Sequence, residues 1–222
     1  MTKKHHMKVL IIDNGSKGVD KVHEHIDDAA KEYEVESNDV KRVTVEDLKE
    51  AYDTGDTEFV KGFDYILSSG SGKQRKYDSE LHKFVADNAD PDAVYLGICH
   101  GAQQMAVAHD AELKNSGQMH RGQRESTVTA HHKSLEGVAT DEKMTHHAHH
   151  QYYIPTEKAG TKLEVIAETQ SEHTGENFVE MYKVLGKDYF GIQSHPEKGE
   201  GKVIKNLYKL AHEKKKPHNT YK

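Results

Sequence analysis

Residues 93–106, AVYLGICHGAQQMA, hold the only cysteine of the 222-residue chain, and they hold it where it dictates much of the surrounding fold. The apolar run 93–98 has the length and composition of a buried strand, and 102–108 continues at helical spacing. Cys99 therefore falls on a strand-to-helix turn, between Gly97 and Gly101 in the pattern G-x-C-x-G. This is the thiol counterpart of the G-x-S-x-G elbow, a turn so sharp that the neighbours of the nucleophile have no room for side chains. A helix that begins just past Cys99 directs its positive end at the sulfur and favours thiolate. A lone cysteine is ordinarily inert core filling; the two flanking glycines argue for a reactive one.

Far downstream, GIQSHPE at 191–197 sets a histidine and a glutamate two residues apart after an apolar strand. In extended chain such residues project to the same side, so Glu197 can hold the His195 ring in one tautomer and orientation. With both segments in this order, the sequence resembles the class I (triad) glutamine amidotransferases, whose fingerprints are G-[IV]-C-x-G-x-Q and Q-x-H-P-E; the resemblance covers residues 8–211.

The resemblance implies hydrolysis of L-glutamine to glutamate and ammonia through a thioester, with Cys99, His195 and Glu197 catalytic and no cofactor. It implies an oxyanion hole from the backbone N–H groups of Gly70 and His100, and a glutamine pocket lined by Gln103, His149, His150 and Gln151. Gly70 lies in SGSG at 69–72, where the family's stiffening prolines are replaced by serines; that leaves the hole looser, or completed by a docked partner. With no synthetase domain following, the expected partner is a separate synthase subunit that receives the ammonia. The opening DNGSKGVDKVHEHI resembles the archaeal-type GMP synthetase glutaminase subunit, which puts GMP synthesis first. QMHRG at 118–122 resembles the anthranilate and aminodeoxychorismate glutaminases, and PEK at 196–198 that of imidazole glycerol phosphate synthase.

Two other readings compete. The string I-C-H-G also occurs in the DJ-1/PfpI group, in which the histidine beside the cysteine takes part in the chemistry, but that group lacks Q-x-H-P-E. A degenerate, non-catalytic binding or regulatory protein of the same fold, sensing metal through its histidine pairs, is the third. Those pairs are His5-His6, His131-His132 and the run THHAHHQ at 145–151. Two adjacent pairs on one segment do not present four ligands tetrahedrally, so no metal is expected; the run matches the family's pocket-lining loop by position, and is otherwise a solvated loop.

Length and composition set the frame. A chain of 222 residues makes one domain, expected over 1–212, with a basic tail at 213–222 read as a solvated, frayed end. One cysteine excludes an internal disulfide and fits a reducing compartment. No apolar run approaches the roughly 20 residues that span a bilayer, and MTKKHHMK lacks a signal-peptide core; the expected location is the cytoplasm, off the membrane. A net charge of −6 with scattered basic residues disfavours nucleic acid, and the 18 histidines carry that charge through zero on mild acidification.

Along the chain, KVLIID at 8–13 reads as a buried strand and NGSKG at 14–18 as a turn, without the pattern of a phosphate loop. A helix follows from Val19, with Val22, Ile26, Ala29 or Ala30 and Tyr33 on one face. Thr44 and Asp47 signal a short capped helix to about Tyr52; FDYILS at 63–68 is a second strand and 78–88 a helix. After the elbow, 125–130, 163–169, 178–184 and 189–193 are strand-like, with no long helix until 203–212. Alternating strands and helices followed by a run of strands predict an α/β fold: three layers, a mostly parallel, flavodoxin-like central sheet with helices on both faces, and antiparallel edge strands.

Overall fold

A computed structural model describes residues 6–215. The chain opens with strand β1 (His6–Asp13), whose alternate side chains enter two separate cores: Val9 and Ile11 into one, Leu10 and Ile12 into the other. A strand buried on both faces has no polar side, which is why KVLIID reads as an unbroken apolar run. Helix α1 (Val19–Glu32) buries Val22, Ile26 and Ala29 as their spacing predicts, and leads to β2 (Ser37–Thr44), which pairs in parallel with β1 at the sheet edge. Helix α2 (Val45–Thr54) starts on a capping box: Asp47 N–H donates to Thr44 Oγ1 (3.1 Å), and Thr44 N–H donates back to Asp47 Oδ2 (2.8 Å).

Strand β3 (Tyr65–Ser68), helix α3 (Asp78–Asn88), strand β4 (Val94–Ile98) and helix α4 (His100–Val107) complete the parallel half. Then come β5 (Lys114–Val128), β6 (Ala139–Thr140), β7 (Lys143–Tyr153), β8 (Leu163–Gln170), β9 (Asn177–Val184), β10 (Tyr189–Ile192) and helix α5 (Lys202–Lys215). Among the described residues the sheet order is β2-β1-β3-β4-β10-β9-β8-β5-β7-β6. Strands β2, β1, β3, β4 and β10 are parallel, and β9 outward is antiparallel. Helices α1 and α5 cover one face; α2, α3 and α4 cover the other. The three-layer architecture is the expected one.

The structure differs from the sequence reading in β5, which runs 114–128 rather than 125–130, in β6, which that reading lacks, and in three further segments. β2 has no counterpart there, because its burial alternates weakly and only Val43 is fully inside; pairing with β1 makes it a strand. The histidine run is no solvated loop. It is β7, paired along its length with β5, with Met144, His146, Ala148 and His150 facing in and Thr145, His147 and His149 facing out. Lys214 and Lys215 are the last turn of α5 rather than a frayed tail: Lys214 Nζ lies 2.8 Å from Asp188 Oδ2, and Lys215 Nζ 2.7 Å from Asp64 Oδ2. Cations at a helix C-terminus face the negative end of its dipole, which favours the extra turn. Residues 216–222 of the expected tail lie outside the described residues, as does His5.

Candidate active site

Side chains in an open parallel sheet meet ligands beyond the carboxyl ends of the strands, and four such ends converge here: those of β1, β3, β4 and β10. Cys99 follows β4 directly. Its backbone has φ 50° and ψ −104°, a strained conformation that L-residues rarely adopt, and it is pinned by its N–H to Ile192 O (2.8 Å) and by Gln103 N–H to its carbonyl (2.9 Å). The glycines are required by close approach: a Cβ on Gly101 would stand 2.5 Å from Ser68 O, and one on Gly97 2.6 Å from Ala102 N. Cys99 occupies the N-cap position of α4 without a side-chain capping hydrogen bond, and the residue is 5% exposed.

His195 and Glu197 come from the segment after β10. His195 Nδ1 lies 2.7 Å from Glu197 Oε1, and both side chains are buried. A carboxylate only accepts, so Nδ1 carries the proton. Nε2 faces another acceptor, the His149 carbonyl, at 3.4 Å, so the geometry suits a doubly protonated ring. Burial drives the imidazole toward neutrality, but hydrogen bonding to Cys99 and Glu197, with the charge of both, outweighs it and raises the His195 pKa to about 10. Gly18 is needed behind the carboxylate, where a Cβ would meet Glu197 Oε1 at 2.8 Å.

Gly70 follows β3 and closes the third side: its Cβ position is 3.3 Å from His195 Cε1 and 3.6 Å from Cys99 Cβ. The structure thus brings Cys99, His195, Glu197 and Gly70 together, with His149 beside them, its ring centroid 6.3 Å from that of His195. Gln103 is buried on α4 and donates through Nε2 to Tyr152 O (2.8 Å) and Gln193 Oε1 (3.1 Å). His150 turns the other way, stacked on His120 at 5.0 Å, and Gln151 Nε2 donates to Asn115 Oδ1 at 3.0 Å.

His100 offers its backbone at the start of α4, but its ring is taken. Nε2 lies 2.8 Å from Asp78 Oδ2, both groups fully buried. Burial alone would raise the Asp78 carboxyl; hydrogen bonds from His100 and the Arg75 amide outweigh it and hold it below the usual range. The imidazole that interacts with the sulfur is that of His195.

Sequence reasoning missed two neighbours. Gln193 Nε2 lies 3.7 Å from Cys99 Sγ, and it is the glutamine of Q-x-H-P-E, a position the pattern itself marks. Glu180 is wholly buried behind Ser194, whose N–H donates to Glu180 Oε1 at 3.0 Å. A single glutamate in an apolar strand, FVEMY, is the signal the sequence holds for it.

A strained cysteine at a strand–helix turn, beside an imidazole backed by a carboxylate, is the layout of a thiol-dependent hydrolytic enzyme on an α/β sheet. The glutamine amidotransferase class-I family profile matches residues 10–211, and the chain belongs to that family. It is 25% identical over 203 residues to the glutamine-hydrolysing GMP synthase of Francisella philomiragia, covering 89% of this chain and 34% of that protein. It is 28% identical over 151 residues to a Schizosaccharomyces pombe protein described as an aminodeoxychorismate synthase, covering 66% of this chain and 19% of that one. The chain thus spans about a third or less of these curated relatives. Its fold is similar to the crystal structure of a Thermoplasma acidophilum protein described as one subunit of a GMP synthase, with a TM-score of 0.69, 19% identity and coverage of 93% and 94% of the two chains. No helix among the described residues is long and apolar enough to cross a membrane.

Proposed function

We propose that this class I glutamine amidotransferase hydrolyses the side-chain amide of L-glutamine through Cys99 and passes the ammonia to a synthase. The observation that carries the reading is the 2.7 Å contact between His195 Nδ1 and Glu197 Oε1, on a ring whose other side meets Cys99. His195 takes or shares the thiol proton, and the sulfur attacks the amide carbon to give a tetrahedral oxyanion. Backbone N–H groups of Gly70 and His100 stabilise that oxyanion; each such donor is worth about 3 kcal/mol in the transition state. His195 Nε2–H then protonates the departing ammonia, leaving a thioester at Cys99. A water molecule gives its proton to the same nitrogen as it attacks the thioester, and glutamate leaves. Glu197 keeps the ring oriented throughout.

Gln103, bonded to the Gln193 that lies beside Cys99, and His149, beside His195, are the side chains we assign to the glutamine side of the site, whereas His150 and Gln151 turn toward His120 and Asn115. GMP synthetase is the synthase we place first, on the similarity to glutamine-hydrolysing GMP synthase. An aminodeoxychorismate-type synthase is second, on the shorter match to such a protein. Glutamate release measured with each candidate synthase present tests the reading. Release should vanish in Cys99→Ala, and retention of glutaminase activity by that variant would overturn it.

A further inference from the structure

The histidine run splits its adjacent pairs across the two faces of β7, so neither pair chelates as a pair. The inward-facing half builds something else with residues far away in sequence. His120 of β5 stacks on His150 at 5.0 Å and lies 4.8 Å, centroid to centroid, from His173 on the turn between β8 and β9. One donor atom each from His120, His173 and Glu172 falls within 4.8 Å of the others. His120 is 2% exposed, and its Nε2 has no hydrogen-bond partner. The Nε2 of His150, 4% exposed, has none either. A buried ring nitrogen without a partner is costly, and at His120 further donors stand within reach to share an occupant.

We propose that His120, His173 and Glu172 bind a divalent transition-metal ion of the zinc type. Two imidazoles and a carboxylate are a donor set such ions take, with water as the fourth ligand. Around an ion held at about 2.1 Å, tetrahedral donors stand about 3.4 Å apart, so the set must close from its present spread by up to about 1.4 Å. Glu172 and His173 sit on an exposed turn and have the freedom to do this by side-chain rotation, while His120 stays fixed between Tyr153, His150 and Phe178. Arg124 pairs with Glu172 Oε1, the same oxygen that lies 3.5 Å from His173 Nε2, and so holds the carboxylate beside that ring. The bound ion would tie the β8–β9 turn to β5, away from the Cys99 side of β7.

The test is Co2+ and Zn2+ binding to the full chain by calorimetry, with the visible spectrum of Co2+ as a geometric readout. Wild type should bind one equivalent with an intense tetrahedral band and melt at higher temperature with the metal. His173→Ala and Glu172→Gln, both on the exposed turn, should each weaken that equivalent about ten-fold or more and lose the band. A paired substitution of His131 and His132 should change neither. Wild-type binding that is only weak and octahedral, or an equivalent that survives in His173→Ala, would overturn the proposal.

Discussion

Replacing Glu180 by glutamine should make the protein more stable at alkaline pH, and the structure sets the size of the effect. The Glu180 carboxyl is fully buried; Oε1 accepts from Ser194 N–H, and Oε2 has no partner among the described residues. The nearest base, His146 Nδ1 at 3.6 Å, brings no charge, because burial lowers that imidazole to about 4. Burial therefore dominates at Glu180 and raises its pKa to about 8 from 4.5, against smaller opposing hydrogen bonds from Ser194 and the charge of His195. The folded state thus holds a proton that the unfolded state has released. Its contribution is fully present below pH 4.5 and is lost as the pH rises toward 8. At about 1.4 kcal/mol per pH unit, the whole window amounts to an upper figure of about 5 kcal/mol. Glutamine keeps the Ser194 contact and cannot ionise. Urea unfolding of both proteins at pH 5, 7 and 9 should give similar stabilities at pH 5 and a gap of several kcal/mol in favour of glutamine at pH 9. Titration of the other groups cancels in the difference. Parallel curves, or a wild type that gains on the variant as pH rises, would refute the assignment of a protonated Glu180.

Further predictions concern the elbow and the imidazole. Glu197→Gln should lower glutaminase kcat by on the order of 10²–10⁴ with little change in KM. Because His195 keeps its proton up to about pH 10, the alkaline limb of the wild-type rate profile should lie near there, and this variant should move it to lower pH. Cys99→Gly removes activity but relieves the backbone strain at φ 50°, and should raise stability by about 1 kcal/mol in thermal unfolding. Gly101→Ala drives a Cβ to 2.5 Å from the Ser68 carbonyl, a backbone atom that cannot swing away; a loss of about 3 kcal/mol or more is expected, together with loss of thiol reactivity.

What can be read from the amino acids is whatever a short stretch decides for itself. The elbow is local: 93–98 against the observed β4, and a helix that begins at His100, two residues earlier than the pattern suggests, because Cys99 itself is the cap. His195 and Glu197 are also local, two residues apart, so their pairing is legible. β2 is not, since SNDVKRVT becomes a strand by pairing with β1 rather than by its own apolar side. β7 hides because histidine passes for polar: the alternation of Met144, His146, Ala148 and His150 emerges only once histidine is allowed inside. The Asp78–His100 pair and the gathering of His120, Glu172 and His173 join residues 22 and about 50 positions apart, which only the sheet order brings together.

The most direct measurement is covalent capture at the sulfur. The chain is treated with an electrophilic analogue of glutamine, digested, and the peptide containing Cys99 is weighed by mass spectrometry. One equivalent of label on Cys99, prevented by excess L-glutamine and slowed at least ten-fold in His195→Ala, is the predicted result. A Cys99 that stays unlabelled, or that labels at the same rate with glutamine present and with His195 removed, would contradict the account.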